Sequence, residues 1–518
     1  MFETKIRDLG GRIGKLITSH GVLETPFLFP VVDPTRQVPD LNTIKSVGFN
    51  GLITNAYLFY KRNNGFAKSI HRELSWSNVI MTDSGGYQIL VYGDVDIDNK
   101  TIIAYEKSIG TDIAVILDIP TGSRMNYEEA LKAVDETYKR GIEALPLIMD
   151  SDQLWVYPIQ GAPYKELVIR SATRANKLPY DIYAIGSPTV MLEKYKYSKL
   201  VDLVLTARAH LSPSKPLHVF GVGHPMIIPF LVAAGGDLFD SASYILYARD
   251  GRYMVETGTK NIRDLTYFPC NCPVCSKYTP REVLELPGDK RTEVLAIHNL
   301  YVLVKEINTV KQAIKEGRLW ELLEYKSKGH PALLEAFHVL KKHIKFIEKT
   351  SPLTNPGGRA LLIYNSESYW NPKLRLNVKR SLEKTVSEFS GKTVVLIPAY
   401  RKPYVSQPEY AEIKRRIMEQ EDLRIAFIHP FLGVIKPELT STYPFYQHEC
   451  RLTRDTLSVD KVAKFIKKLL EKNVKKIVIV ESGWFTREVF LNLQKRLGEV
   501  SNKITICRLN EISSLILQ

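Results

Sequence analysis

Residues 217–243 read LHVFGVGHPMIIPFLVAAGGDLFDSAS. Two short apolar runs, 217–223 (LHVFGVG) and 237–243 (DLFDSAS), bracket a segment of helical pattern. Each run is too short for a buried helix, and turn residues at its ends suit a buried parallel strand. His224, Pro225 and Pro229 interrupt the longest apolar stretch, 219–236, so it does not read as a membrane span. The same unit recurs upstream, at 25–32 (TPFLFPVV), 51–55 (GLITN), 78–83 (NVIMTD), 112–118 (DIAVILD), 154–161 (LWVYPIQG) and 180–186 (YDIYAIG). Amphipathic segments such as 127–142 (YEEALKAVDETYKRGI) lie between the runs. Strand and helix alternating eight times predict an α/β fold, a (β/α)₈ TIM-like barrel. A doubly wound open sheet has the same periodicity and stands as the alternative.

Six of the eight runs finish in a residue suited to a site: Asp83, Asp118, Gln160, Gly186, Gly221 and Asp240. In a barrel the C-terminal strand ends form one rim, where active sites lie. Three carboxylates and an amide converging there predict a polar pocket. The plainer account of any single Asp at a strand end is a helix N-cap.

A second constellation follows the last run. Cys270, Cys272 and Cys275 fall within six residues, and His298 comes twenty-eight residues after the first of them. Three thiolates and one imidazole satisfy tetrahedral Zn²⁺, and a closed set of four leaves no position for water. The expectation is one structural zinc per chain, tying a subdomain at about 265–300 to a downstream helix, with Pro269 and Pro273 stiffening the knuckle. The competing account is a cluster of free buried cysteines. The other two cysteines, Cys450 and Cys507, are isolated, so no disulfide framework is expected and a reducing compartment fits.

The chain has 518 residues, 44% hydrophobic and 25% charged, which excludes disordered and low-complexity classes. Its mean hydropathy is −0.13. The first residues (MFETKIRDLGGRIGK) show no apolar signal segment, so a cytoplasmic protein is expected. A formal net charge of +15 points to an anionic partner, nucleic acid first. From Gly391 onward, 22 Lys and Arg face 14 Asp and Glu, so over half of the surplus sits in the last quarter. A Lys- and Glu-rich solvated surface is the bland reading of the same charge.

Residues 293–349 are helical and charged, and 351–358 (SPLTNPGG) reads as a linker. The organisation expected is therefore a catalytic barrel with its zinc subdomain over 1–350 and an accessory α/β region over 351–518, with strands expected at 359–364, 393–398, 424–428 and 476–481. That region is expected to hold one or two small domains. Segment 459–472 (VDKVAKFIKKLLEK) places Val462, Phe465, Ile466, Leu469 and Leu470 on one face, as a docked surface helix would.

The segments 82–88 (TDSGGYQ), 117–121 (LDIPT), 158–161 (PIQG), 220–225 (FGVGHP) and 237–244 (DLFDSASY), with the cysteine pattern and His298, resemble the tRNA-guanine transglycosylase family in order and spacing, over roughly residues 1–350. The long region beyond resembles the family's archaeal branch. The resemblance implies a zinc-bearing pentosyltransferase that exchanges a guanine in the tRNA D-arm for 7-cyano-7-deazaguanine, the first step towards archaeosine. By motif, Asp240 would be the nucleophile at ribose C1′ and Asp83 the general acid/base. Asp118, Gln160 and Gly186 would read the base, and Ser84 would turn the chain against it. The chemistry suits these types: exchange without strand scission needs a nucleophile that leaves again, and a carboxylate does so through a sugar ester. A carboxylate such as Asp118 matches the N1 and N2 donors of guanine.

The resemblance also implies a homodimer. Full-length archaeal members carry a C-terminal RNA-binding PUA domain, and this chain is expected to end before it, at 515–518 (LILQ), so a separate PUA protein is a candidate partner. Segment 397–404 (IPAYRKPY) is similar to a Cys-containing motif of related archaeosine synthases, but Ala399 holds the cysteine's place, so amidation chemistry is not expected there. Two other functions stay open: a catalytically inactive tRNA-binding subunit, against which both Asp83 and Asp240 count, and a barrel hydrolase acting on a small nucleoside or sugar.

Overall fold

The computed structural model describes residues 1–86, 97–122, 125–186, 191–192, 194–417, 420–452 and 459–512. Tyr87 and Gln88 of the 82–88 motif, and the terminal 515–518, lie outside the described residues. The chain divides into two compact units, Met1–Ser351 and Pro352–Gln518.

Three antiparallel strands open the first unit: β1 (Phe2–Asp8), β2 (Gly11–Thr18) and β3 (Gly21–Thr25), paired in that order. Residues of β1 alternate between half-buried and exposed, the signature of a sheet with one wet face. Eight parallel strands follow: β4 (Phe27–Pro30), β5 (Gly51–Asn55), β6 (Val79–Asp83), β7 (Ile113–Val115), β8 (Leu154–Ile159), β9 (Ile182–Ile185), β10 (Leu217–Val219) and β11 (Leu238–Ser241). They run in chain order around one sheet, with β11 beside β4. A parallel bridge between Val31 and Ile53, with Val32 N–H donating to Ile53 O at 2.9 Å, joins the two ends. The sheet is thus a nearly closed (β/α)₈ barrel, and each of the eight apolar runs supplies one strand.

The barrel interior is filled by one inward-facing residue or two from each of several strands, among them Phe29, Ile53, Met81, Val115, Val156, Ile182 and Leu238. Leu16 of β2 and Leu23 of β3 belong to the same cluster, so the N-terminal sheet closes the barrel floor. Two polar clamps fix it there. Arg12 Nε donates to Asp237 Oδ1 at 2.9 Å, both side chains being buried, and His20 N–H donates to Asp112 Oδ1 at 2.9 Å. Around the barrel, helices start on side-chain caps: Asp40, Asn55, Asp98 and Asn126 each accept from a backbone N–H of the first turn.

After β11 a hairpin, β12 (Arg252–Val255) and β13 (Gly258–Asn261), leads to the short helix Pro273–Lys277 and the 29-residue helix Gly288–Glu316. The second unit holds a two-stranded sheet, β14 (Leu361–Ile363) with β18 (His448–Cys450), and a five-stranded one. In the latter the order is β17 (Gly433–Ile435), β16 (Leu423–His429), β15 (Thr393–Pro398), β19 (Lys476–Val480) and β20 (Ile504–Cys507), parallel except for β17. Its helix Val459–Leu470 buries Val462, Phe465, Ile466, Leu469 and Leu470 in that unit's core. Among the described residues no helix is long and apolar enough to cross a membrane.

Candidate active site at the barrel rim

Asp83 ends β6, Asp240 lies within β11, Asp118 follows β7 by three residues, and Gln160 and Gly186 come directly after β8 and β9. Parallel strands closed into a barrel bring these ends to one rim. Neither Asp118 nor Asp240 caps a helix: the next helices begin on Asn126, which makes a full capping box with Glu129, and on Ala242.

Asp240 is buried and, among the described residues, held on one oxygen. His218 Nε2, from β10, lies 2.8 Å from Asp240 Oδ1, and Gly221 N–H donates to the same atom at 2.9 Å. Oδ2 carries neither of these bonds. Gly221 has φ +66°, a left-handed turn that aims its N–H at the carboxylate. Asp83 is half-open to the mouth. Its Oδ2 accepts from Asn55 Nδ2 at 3.3 Å, while Asn55 Oδ1 caps the helix Ala56–Arg62 through Leu58 N–H. Desolvation in the cup, then the nearby charges of Asp118 and Asp240, push the Asp83 carboxyl up to about 7, so near neutrality it is present as acid and as base.

Asp118 and Gln160 form one unit. Gln160 Nε2 donates to Asp118 Oδ2, and Gln160 Oε1 accepts from Thr121 N–H at 2.9 Å and from the Thr121 hydroxyl at 3.1 Å. These contacts fix the amide orientation. Burial raises the Asp118 carboxyl to about 6, against the lowering effect of the Gln160 bond. Two glycines make room here: a Cβ on Gly86 would overlap Asp118 Oδ1, and one on Gly186 would overlap Gln160 Nε2. The Gly186 N–H donates to Ile159 O at 3.0 Å and extends the β8–β9 ladder. Ser84 is buried, with its hydroxyl donated to Ile116 O at 3.1 Å, so it braces the turn.

Two buried residues of this region escape a reading of the chain. His218 sits in the middle of the apolar run 217–223, where only its being a lone imidazole among Leu, Val and Phe marks it. Glu106 lies behind Asp83 on the helix Asn99–Ile109, accepts from the Thr82 hydroxyl at 2.7 Å, and is pushed well up by burial.

The four metal-ligand candidates converge. Donor atoms of Cys270, Cys272, Cys275 and His298 lie within 4.8 Å of one another. His298, fully buried on the long helix, sets Nδ1 3.5 Å from Cys272 Sγ and 3.4 Å from Cys275 Sγ. Its Nε2–H goes to Met254 O at 2.9 Å, which fixes the tautomer with Nδ1 free for an ion. Tyr253 stacks on the imidazole at 3.6 Å. Three thiols and a correctly protonated imidazole fit a metal such as zinc.

A nearly closed parallel barrel with carboxylates at its C-terminal rim and a Cys₃His knot beyond its last strand places the chain in a class of barrel proteins with a polar, acidic rim. The comparison with known proteins narrows it. The family model described as queuine tRNA-ribosyltransferase matches residues 8–332. A tRNA-guanine(15) transglycosylase of Aeropyrum pernix is 45% identical, the match covering 86% of this chain and 87% of the relative. That of Saccharolobus solfataricus is 42% identical over 93% of this chain and 96% of its own, and that of Methanocaldococcus jannaschii 39% identical over 86% and 68%. The chain belongs to the queuine tRNA-ribosyltransferase family, and is a pentosyltransferase.

Proposed function

We propose that the chain exchanges a guanine of tRNA, in the D-arm, for 7-cyano-7-deazaguanine through a covalent ester on Asp240. The observation that carries this reading is the asymmetry at Asp240: both donors sit on Oδ1, which leaves Oδ2 to attack. In the first half, Oδ2 bonds to ribose C1′ as the C1′–N9 bond breaks. The electron pair leaves with guanine, which takes a proton from Asp83. In the second half the incoming base gives its N9 proton to the Asp83 carboxylate, N9 attacks C1′, and Asp240 departs with its electrons. Two displacements retain configuration, and a carboxyl near pKa 7 serves both directions at neutral pH.

Base choice rests on Asp118, whose carboxylate accepts from N1–H and N2–H, with Gln160 orienting it and Gly86 and Gly186 leaving room for these two side chains to take up their places. A base in folded tRNA must be exposed first, at about a few kcal/mol. The net charge of +15 favours the phosphate contacts that offset this. Zinc on Cys270, Cys272, Cys275 and His298 would hold the hairpin region to the long helix and take no part in bond making. The remaining parts of the proposal are a cytoplasmic homodimer and, as a further tRNA-binding partner, a separate PUA-domain protein.

Incorporation of labelled guanine and of labelled 7-cyano-7-deazaguanine into unmodified tRNA tests the reading. Wild type should incorporate both and Asp240→Asn neither. Equal incorporation by the variant would remove Asp240 from the reaction, and tRNA binding without incorporation by wild type would point to an inactive tRNA-binding subunit.

A further inference from the structure

At the barrel floor, His20, His71 and Asp112 bring one ligand atom each to within 4.8 Å of one another, at the opposite end of the strands from the rim. His20 occupies the exposed turn between β2 and β3, His71 lies on the short helix Ile70–Glu73 before β6, and Asp112 precedes β7. Asp112 is fully buried and rigidly placed: Oδ1 accepts from His20 N–H at 2.9 Å and Oδ2 from Ile80 N–H at 2.8 Å. Each carboxylate oxygen also faces an imidazole nitrogen. His20 Nδ1 is 2.9 Å from Oδ1, and His71 Nε2 is 3.3 Å from Oδ2. The two rings stack at 3.7 Å with a 27° tilt.

The tautomer of His71 decides what the cluster lacks. Its Nδ1 pairs with Trp76 O at 2.9 Å, so Nδ1 carries a proton, and in the neutral ring Nε2 presents a lone pair. That buried Nε2 has no hydrogen-bond partner among the described residues and points at a carboxylate oxygen, so two electron-rich atoms face each other. A cation between them removes the conflict, either a second proton on the ring, which the facing carboxylate favours, or a metal ion. An imidazole whose far N–H is held by a backbone carbonyl, next to a carboxylate already oriented by backbone N–H groups, is also how metal-binding sites are braced. We propose that His20 Nδ1, His71 Nε2 and Asp112 bind a borderline divalent cation of the Zn²⁺, Co²⁺ or Ni²⁺ class, distinct from the Cys₃His site. Two imidazoles and a carboxylate suit such ions, and water completes the shell on the exposed His20 side. The ion ties the β2–β3 turn to the starts of the barrel strands and works as a staple of the floor.

The test uses the full chain with its thiolate site saturated with Zn²⁺, titrated with Co²⁺. The expected result is a second equivalent of bound metal that gives visible d–d absorption without the near-ultraviolet thiolate charge-transfer band. His20→Ala alters an exposed turn residue, so it should fold with wild-type circular dichroism and lose that equivalent, as should His71→Ala. Metal should also raise the melting temperature of wild type above that of zinc-loaded His20→Ala. A single metal per chain in wild type, or a second equivalent that survives both histidine substitutions, would overturn the proposal. The first outcome would leave a shared proton as the only cation of the cluster.

Discussion

The two ends of the barrel use the same side chain in opposite ways. On the floor, Asp112 and Asp237 are buried and fully engaged. Asp112 accepts from two backbone N–H groups and faces two imidazoles, which together hold its carboxyl below the usual range despite burial. Asp237 binds the Arg12 guanidinium and accepts from Leu217 N–H at 2.8 Å. At the rim, Asp83 and Asp118 share the barrel with no ion-paired cation among the described residues, and both are raised, to about 7 and about 6. The floor carboxylates stabilise the fold by being satisfied. The rim carboxylates are kept near neutrality by being left partly unsatisfied, the condition in which they can exchange protons.

This contrast can be broken by substitution at either end. The largest effect is expected at the rim: Asp240→Asn should lower the exchange rate roughly 10⁴-fold or more, the scale of losing a nucleophile, with little change in melting temperature. A variant near wild-type rate would erase the distinction. On the floor, Asp237→Ala strands the buried Arg12 charge and should cost roughly 3–5 kcal/mol in denaturant unfolding, while exchange per folded molecule stays unchanged. A smaller, opposite effect sharpens the comparison. Burial raises the Asp118 carboxyl to about 6, above its ordinary value of 3.8, so its protonated form is favoured by the fold. Its contribution to stability is complete below about pH 4 and lost as pH rises through about 6. Asp118→Asn should therefore be more stable than wild type at pH 8, by about 1–3 kcal/mol, and no more stable at pH 4, as urea titrations at both pH values would show.

Much of the barrel was legible because buried parallel strands are apolar on both faces and stand out as short runs between turn residues. All eight runs hold strands, although at 112–118 only Ile113–Val115 is strand and Asp118 lies three residues beyond. The floor sheet is less legible, since β1 alternates with one wet face but β2 and β3 do not carry the pattern on, and their half-wet strands lack the long apolar runs of the barrel. In the second unit β17, β18 and β20 are three- or four-residue strands, too short to declare a period. At the site, residue types at strand ends carried the carboxylates, and close cysteine spacing carried the metal knot. His218 and the His20–His71–Asp112 group depend on contacts between distant parts of the chain; His20 and Asp112 are 92 positions apart, and no local pattern signals them. Gly186 shows the converse limit, because whether a backbone N–H is free depends on where a ladder ends.

The central claim is that Asp240 becomes covalently attached to ribose. End-labelled tRNA incubated with the chain, quenched in acid and resolved by denaturing electrophoresis tests it most directly, with digestion and mass spectrometry of the shifted band. The account predicts a tRNA–protein adduct in wild type, carried on the peptide that contains Asp240 and absent from Asp240→Asn. An adduct on another residue, or one that persists in Asp240→Asn, would contradict it.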